Sequence, residues 1–162
     1  MTYILGCDPG LKGAFALLQG DKLVNVWDMP KVPKTTGKGN EISVQLLNNI
    51  MLDVLSYINQ KDSTLHAIIE TVRAMPGQGV TSCFSFGRSL GVMEGVIAGH
   101  QIPINYVTPQ RWKKYFGLIK KEKDASRGLV LSKFPDRCEL FKRKLDCDRA
   151  EAVLIGLYEA LK

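Results

Sequence analysis

The sequence offers little to a metal that prefers nitrogen or sulphur ligands: it has two histidines, His66 and His100, and four cysteines, Cys7, Cys83, Cys138 and Cys147, with no Cys-x-x-Cys pair. A structural zinc site needs clustered ligands, so structural zinc is discounted. The scattered thiols, three of them inside or beside apolar stretches, read as buried free cysteines. No apolar run approaches the roughly 20 residues that a membrane span requires. The N-terminus has no basic region, apolar block and small-residue cleavage site in series, so no signal peptide is expected, and the expected location is cytoplasmic. Gly-x-Gly-x-x-Gly and Walker patterns are also missing, which removes the common phosphate-cradling loops. There is no internal repeat. The 162 residues suffice for one domain, 1–162, with a core that needs no staples.

What the chain does have is charge, unevenly placed. The net charge is +6, and the segment from Pro109 to Arg149 carries 13 Lys/Arg against 6 Asp/Glu, leaving 9 against 10 for the remainder. The whole positive balance therefore belongs to one segment, which reads either as a face for a polyanion or as a solvated lysine surface.

The chain is organised around Tyr3-Ile4-Leu5-Gly6-Cys7-Asp8-Pro9-Gly10, an apolar run that reads as a buried strand and ends on a carboxylate. Pro9-Gly10 forces a turn, Gly13 to Leu18 restarts a strand, and Leu23 to Trp27 follows a second turn at Asp21-Lys22, giving a three-strand antiparallel meander. Met29 to Asn40, with Pro30, Pro33, Gly37 and Gly39 among Lys31, Lys34 and Lys38, is expected to be a mobile basic loop. Ser43 caps a helix whose apolar positions Leu47, Ile50, Met51, Val54, Leu55 and Ile58 form one buried face, with its end at Gln60-Lys61-Asp62. Leu65 to Glu70 is the next strand, and it too stops on a carboxylate. A helix from about Ser82 to Gly99 carries Gly87, Gly91, Gly95 and Gly99 every four residues; such a ridge admits a close neighbour, either the sheet of the same chain or a second subunit. Ile102 to Val107 is a further strand. Thr108-Pro109 starts a helix with Arg111, Lys113 and Lys114 among Trp112, Tyr115 and Phe116. Lys120 to Lys123 follows, then a basic helix from Ala125 to Phe134, and a last helix from Asp148 to Leu161 with Asp148 and Glu151 on one face.

Taken in order, these elements resemble the ribonuclease H-like nucleases, and in detail the RuvC family of Holliday-junction resolvases, especially its phage-type branch. The resemblance rests on Ile4 to Gly10, Ile68-Ile69-Glu70, Ser85-Phe86-Gly87-Arg88 with the glycine helix, Thr108 to Lys113, Lys123-Asp124-Ala125-Ser126-Arg127 and Arg149-Ala150-Glu151-Ala152. It implies an α/β, ribonuclease H-like fold: a mixed five-stranded sheet, an antiparallel meander plus two parallel strands, flanked by helices. It further implies a homodimer in a bacterial host cell if phage-encoded. That dimer would bind four-way and other branched DNA and resolve it by symmetric paired nicks, using two Mg2+ ions per site with Mn2+ as a substitute. Hydrolysis of this kind needs several hard oxygen ligands around the cations.

Carried onto this chain, Asp8 is the shared metal ligand, Glu70 a ligand of the second ion, and Glu151 the firmest of a C-terminal group that keeps Asp146 and Asp148 both open. Lys113 and Lys123 fall on basic positions near the scissile phosphate. Arg73, Met75 and Gln78 are expected to enter the junction opening. Lys31, Lys34, Lys38, Arg88, Arg111, Lys114, Lys120, Lys121 and Arg127 complete the expected DNA-binding set. Three competing readings are a sugar-kinase or actin-type phosphate-binding fold, disfavoured by length, a junction-binding protein without catalysis, disfavoured by the carboxylates, and a ribonuclease H-like enzyme acting on RNA.

Overall fold

The computed structural model describes residues 1–58, 62–71, 73 and 77–162. The apolar N-terminal run forms β1 (Thr2–Asp8), followed by β2 (Ala14–Gln19) and β3 (Lys22–Asp28), each antiparallel to the one before it, as the meander reading predicts. The segment expected to be a mobile loop is instead a small ribbon, β4 (Lys31–Pro33) paired antiparallel with β5 (Asn40–Ile42). Its prolines and glycines punctuate a hairpin rather than prevent one. Pro33 ends a two-stranded ribbon, where a missing donor is tolerated, and Gly37 and Gly39 take the positive φ angles of its turn.

Helix α1 (Val44–Ser56) is capped by the Ser43 hydroxyl, which accepts from the Leu46 amide at 3.3 Å, a contact of roughly 1 kcal/mol. Then come β6 (Thr64–Glu70), α2 (Val80–Gly99), β7 (Ile104–Val107) and α3 (Pro109–Tyr115), the last capped by Thr108 with proline in the first turn. α4 (Asp124–Lys133), two 3-10 segments at Pro135–Phe141 and Lys144–Asp146, and α5 (Cys147–Leu161) complete the chain. β6 pairs in parallel with β1 on one side and β7 on the other, giving one sheet of order β3-β2-β1-β6-β7. Among the described residues no helix is long and apolar enough to cross a membrane.

Side chains of successive strand residues alternate between the two faces of a sheet, and both faces here are covered. Leu5, Cys7, Phe15, Leu17, Ala67 and Ile69 pack against Leu47, Met51 and Val54 of α1 and Met93 and Ile97 of α2. Ile4, Ala16, Leu18 and Ile68 pack against Trp112 of α3, Val130 of α4 and the buried face of α5. By the same alternation Asp8 and Glu70 belong to the α5 face, with Ile4 and Ile68.

Two glycines set how closely α5 lies on the sheet. A β-carbon at Gly6 would stand 2.2 Å from the Ala152 carbonyl oxygen and 2.6 Å from the Gly156 nitrogen, and one at Gly156 would meet Leu18 Cδ1 at 2.5 Å. The helix backbone therefore rests on the strand backbone. The glycine stripe of α2 is different: β-carbons at Gly87, Gly91, Gly95 and Gly99 would meet nothing within 4 Å, so the sheet of the same chain is not the neighbour that stripe admits. Replacing Gly6 or Gly156 with valine should cost about 3 kcal/mol or more, since relief requires moving backbone or a core leucine, whereas Gly95→Ala should leave the fold of the single chain at least as stable. Chemical denaturation checks both; equal effects at Gly6 and Gly95 would contradict this packing.

Candidate active site

From Gly6 to Asp8 the strand advances ~6.6 Å, and from Ala152 back to Asp148 the helix advances ~6 Å. With Gly6 seated on Ala152 and Gly156, the end of β1 and the first turn of α5 must meet. They do: one carboxylate oxygen each from Asp8, Asp148 and Glu151 lies within 4.8 Å of the others. Glu70, at the end of β6 one strand over, lines a cleft of about 520 Å3 together with Asp8, Ser85, Phe86, Asp148 and Glu151. Gly10, at φ 119°, turns the chain away immediately after Asp8, and a side chain there would press on Phe86.

Burial and mutual repulsion hold these acids in an uncomfortable state. Asp8 is raised well above its ordinary value of 3.8, first by burial and then by Glu70, Glu151 and Asp148. Glu70 is raised as well, chiefly by burial and also by Glu151, although the Trp112 indole donates to its Oε1 at 2.8 Å and opposes the shift. Two ammonium groups offset part of the repulsion. Lys113 Nζ lies 3.3 Å from Glu151 Oε1 and 5.0 Å from the Trp112 ring centre. Lys123 Nζ lies 2.5 Å from Asp148 Oδ1 and 3.8 Å from Glu151 Oε2. Burial works against the Lys123 charge, but the hydrogen bond to Asp148 and the field of Glu151 and Asp8 hold its proton more tightly than usual. Four carboxylates and no nitrogen or sulphur donor form a hard, oxygen-only set, suited to Mg2+ or Mn2+.

Asp146 lies apart from this group. Its oxygens accept from the Arg143 amide at 2.8 Å and the Arg143 guanidinium at 2.7 and 3.1 Å, closing the turn that precedes α5. Burial alone would raise it, but Arg143 brings it below the ordinary carboxylate range. Arg149 donates to both oxygens of Asp28 at 2.6 and 2.7 Å, tying the first turn of α5 to the end of β3.

The basic candidates divide. Lys31, Lys38, Arg73, Arg111, Lys114, Lys120 and Lys121 are exposed, and Lys34 is half-buried on the β4–β5 turn. Arg88 is instead paired with Glu41. Arg127 donates to Asp124 at 2.7 and 3.1 Å and to the Phe141 carbonyl at 3.1 Å. Gln78 donates to the Ser82 hydroxyl at 3.3 Å. Met75 lies outside the described residues. Sequence reasoning treated Trp112 as an aromatic in a basic helix and passed over its hydrogen bond to Glu70. Arg149 belongs to one of the motifs of the resemblance, but its pairing with Asp28, 121 residues earlier, has no local signal.

No family model matches the chain. Among curated proteins it is similar to the chloroplastic Holliday junction resolvase MOC1 of Chlamydomonas reinhardtii, 27% identical over 150 residues, covering 83% of this chain and 17% of that protein. Among solved structures it superposes on Thermus thermophilus RuvC in complex with a Holliday junction substrate, with a TM-score of 0.58, 15% identity, and 99% of this chain and 93% of that one covered. A second Thermus thermophilus RuvC structure gives a TM-score of 0.54 at 15% identity, covering 98% of this chain and 93% of that one. The chain has the RuvC fold, and it spans about a sixth of the length of the curated relative it matches.

Acids with raised pKa values stabilise a fold at low pH and lose that contribution as pH rises through the raised value. Asp28, held low by Arg149, and Asp146 act in the opposite sense, but only below the ordinary carboxylate range. The metal-free protein should therefore lose thermal stability as pH rises above the ordinary carboxylate range, and millimolar Mg2+ or Mn2+ should restore it. Asp8→Asn should flatten both responses in scanning calorimetry. An unchanged pH and metal response in that variant would contradict the account.

Proposed function

We propose that this RuvC-like domain is a structure-selective endodeoxyribonuclease that binds four-way DNA junctions and cuts them by metal-dependent phosphodiester hydrolysis. The observation that carries the reading is the convergence of the Asp8, Asp148 and Glu151 carboxylates, within 4.8 Å, beside Glu70 on the RuvC fold. The name of the chloroplastic relative, a Holliday junction resolvase, points the same way.

Asp8, Glu70, Asp148 and Glu151 would hold two Mg2+ ions, with Asp8 shared between them and Mn2+ able to substitute. When bound, such ions activate the attacking water and stabilise the leaving oxygen of an in-line displacement. The protein's own part is positioning and charge. Trp112 fixes the orientation of Glu70 through the indole hydrogen bond. Lys123 lines the cleft and Lys113 lies against Glu151, which lines it too; an ammonium there would stabilise charge that develops on a non-bridging phosphate oxygen. Engagement of Asp146 by Arg143 favours Asp148 as the partner of Glu151 and gives Asp146 a supporting role. The phage-type branch, which would have an acid five residues before Glu151 as ligand, is correspondingly less favoured than a general RuvC-like reading.

Two nicks across one junction call for two sites, and the exposed glycine stripe of α2, with Phe84 on the same outward side, suits a second copy of the chain. The exposed basic residues of the C-terminal third and the β4–β5 ribbon fit phosphate contacts along the arms, whose affinity should fall steeply with salt.

A labelled four-way junction, incubated with the protein with and without Mg2+, tests this directly. Cleavage should require the metal and produce paired, symmetric nicks, and light scattering at micromolar concentration should give a dimer of the 18.0 kDa chain. Asp8→Asn should keep or tighten junction binding in metal-free buffer, because a negative charge facing the phosphates is gone, while cleavage falls by several orders of magnitude. Near-normal nicking by Asp8→Asn, or preferential cutting of an RNA duplex, would overturn the assignment.

A further inference from the structure

The cleft that holds the carboxylates continues into a larger one, of about 870 Å3, on the β3 side of Asp148. The two share Leu11, Lys12, Gly13, Lys123 and Asp148, so anything seated at the carboxylates has an open path into the second cleft. Its walls come from the turn after β1, the end of β3 with the start of β4, residues 122–124 at the start of α4, and the 3-10 turn before α5. Four lysines line it: Lys123 is held by Asp148, while Lys12, Lys31 and Lys144 are exposed and form no ion pair among the described residues. Nothing in the metal site or the core explains them.

The acids lining the same cleft are, by contrast, almost all spoken for. Asp28 is held by Arg149, Asp124 by Arg127 and Asp148 by Lys123, which leaves Glu122 against the three lysines without an ion pair, of which Lys144 also lies in the field of Asp124. The local surplus is positive although the lining looks balanced by residue count. The cleft has the size of a site for a drug-sized ligand, and so for a short run of nucleotides. At its edge Leu145 is 65% exposed beside Lys144, an apolar surface of the kind that a sugar or base face can cover. A strand of repeating phosphates with apolar faces between them matches this pattern of separated cations and apolar lining.

We infer that this second cleft, through Lys12, Lys31 and Lys144, binds the stretch of phosphodiester backbone that flanks the scissile phosphate on one side. Lys12 and Lys144 are thereby assigned to nucleic-acid binding alongside Lys31. The inference rests on the nuclease reading above and extends it from the cut phosphate to the strand that leads away from it.

The test uses the full chain and a fluorescent synthetic four-way junction in Ca2+ buffer, with binding followed by anisotropy from low to physiological salt. Each phosphate that a variant no longer neutralises lowers the slope of log affinity against log salt by ~0.9, so the double variant Lys12→Gln, Lys144→Gln should lower it by ~1.8. Both lysines are exposed and unpaired, so the unfolding midpoint should not move. A second junction carries uncharged methylphosphonates at the phosphates on one side of the nick position. It should bind the unmodified protein more weakly than the normal junction does, while the double variant should scarcely distinguish the two. If the unmodified protein binds and nicks the junction but the double variant keeps the same slope and affinity, the second cleft is not a strand site and the nuclease reading stands. If the unmodified protein neither binds nor nicks branched DNA, both readings fall together.

Discussion

The contact on which the site depends is one of backbone against backbone: Gly6 of β1 against Ala152 and Gly156 of α5. Helices ordinarily sit on sheets through a layer of side chains, which here would hold the first turn of α5 away from the strand ends. With no β-carbon on either glycine, the helix drops onto the strand. Two residues further along β1 and one turn back along α5, carboxylates from opposite ends of the chain share one cleft. Both the packing and the chemistry of this protein follow from that approach. A substitution at either glycine is therefore a substitution at the site, although neither glycine lines it.

The acids so assembled repel one another, and the surrounding structure is arranged to bear this. Burial and mutual repulsion raise Asp8 and Glu70, while Lys113 and Lys123 lie against the C-terminal pair. The first turn of α5 is tied down independently: Arg149 grips Asp28 at the end of β3, and Arg143 closes on Asp146. These internal ion pairs keep the helix start in place against the repulsion. The Arg149 pair also offsets the charge of Asp28 in the larger cleft, where Lys12, Lys31 and Lys144 are left without an ion-pair partner among the described residues.

Much of this was legible in the sequence because it was local. Apolar runs that end on Asp8 and Glu70 read as strands delivering acids, and alternation along each strand then fixes the face on which both emerge. The caps at Ser43 and Thr108 and the buried stripe of α1 were equally plain. What was not legible was set by partners distant in sequence. Gly6 and Gly156 are single glycines 150 residues apart with no period to mark them, whereas the conspicuous glycines of α2 face away from the rest of the chain. Residues 29–40 were too rich in proline and glycine to read as strand, yet those residues shape a ribbon. Trp112 looked like packing because an indole donor leaves no trace in spacing. That Arg143, three residues before Asp146, closes on the Asp146 carboxylate is likewise a contact that spacing alone does not mark.

The central claim is that Asp8, Asp148 and Glu151, with Glu70 beside them, form one divalent-cation centre. The most direct measurement is anomalous diffraction from crystals of the protein soaked in Mn2+. The account predicts anomalous density enclosed by the carboxylates of Asp8, Asp148 and Glu151, with Lys123 withdrawn from Asp148, and no such density in Asp8→Asn crystals soaked in the same way. Mn2+ bound only elsewhere, with Lys113 and Lys123 still closed on Glu151 and Asp148, would contradict it.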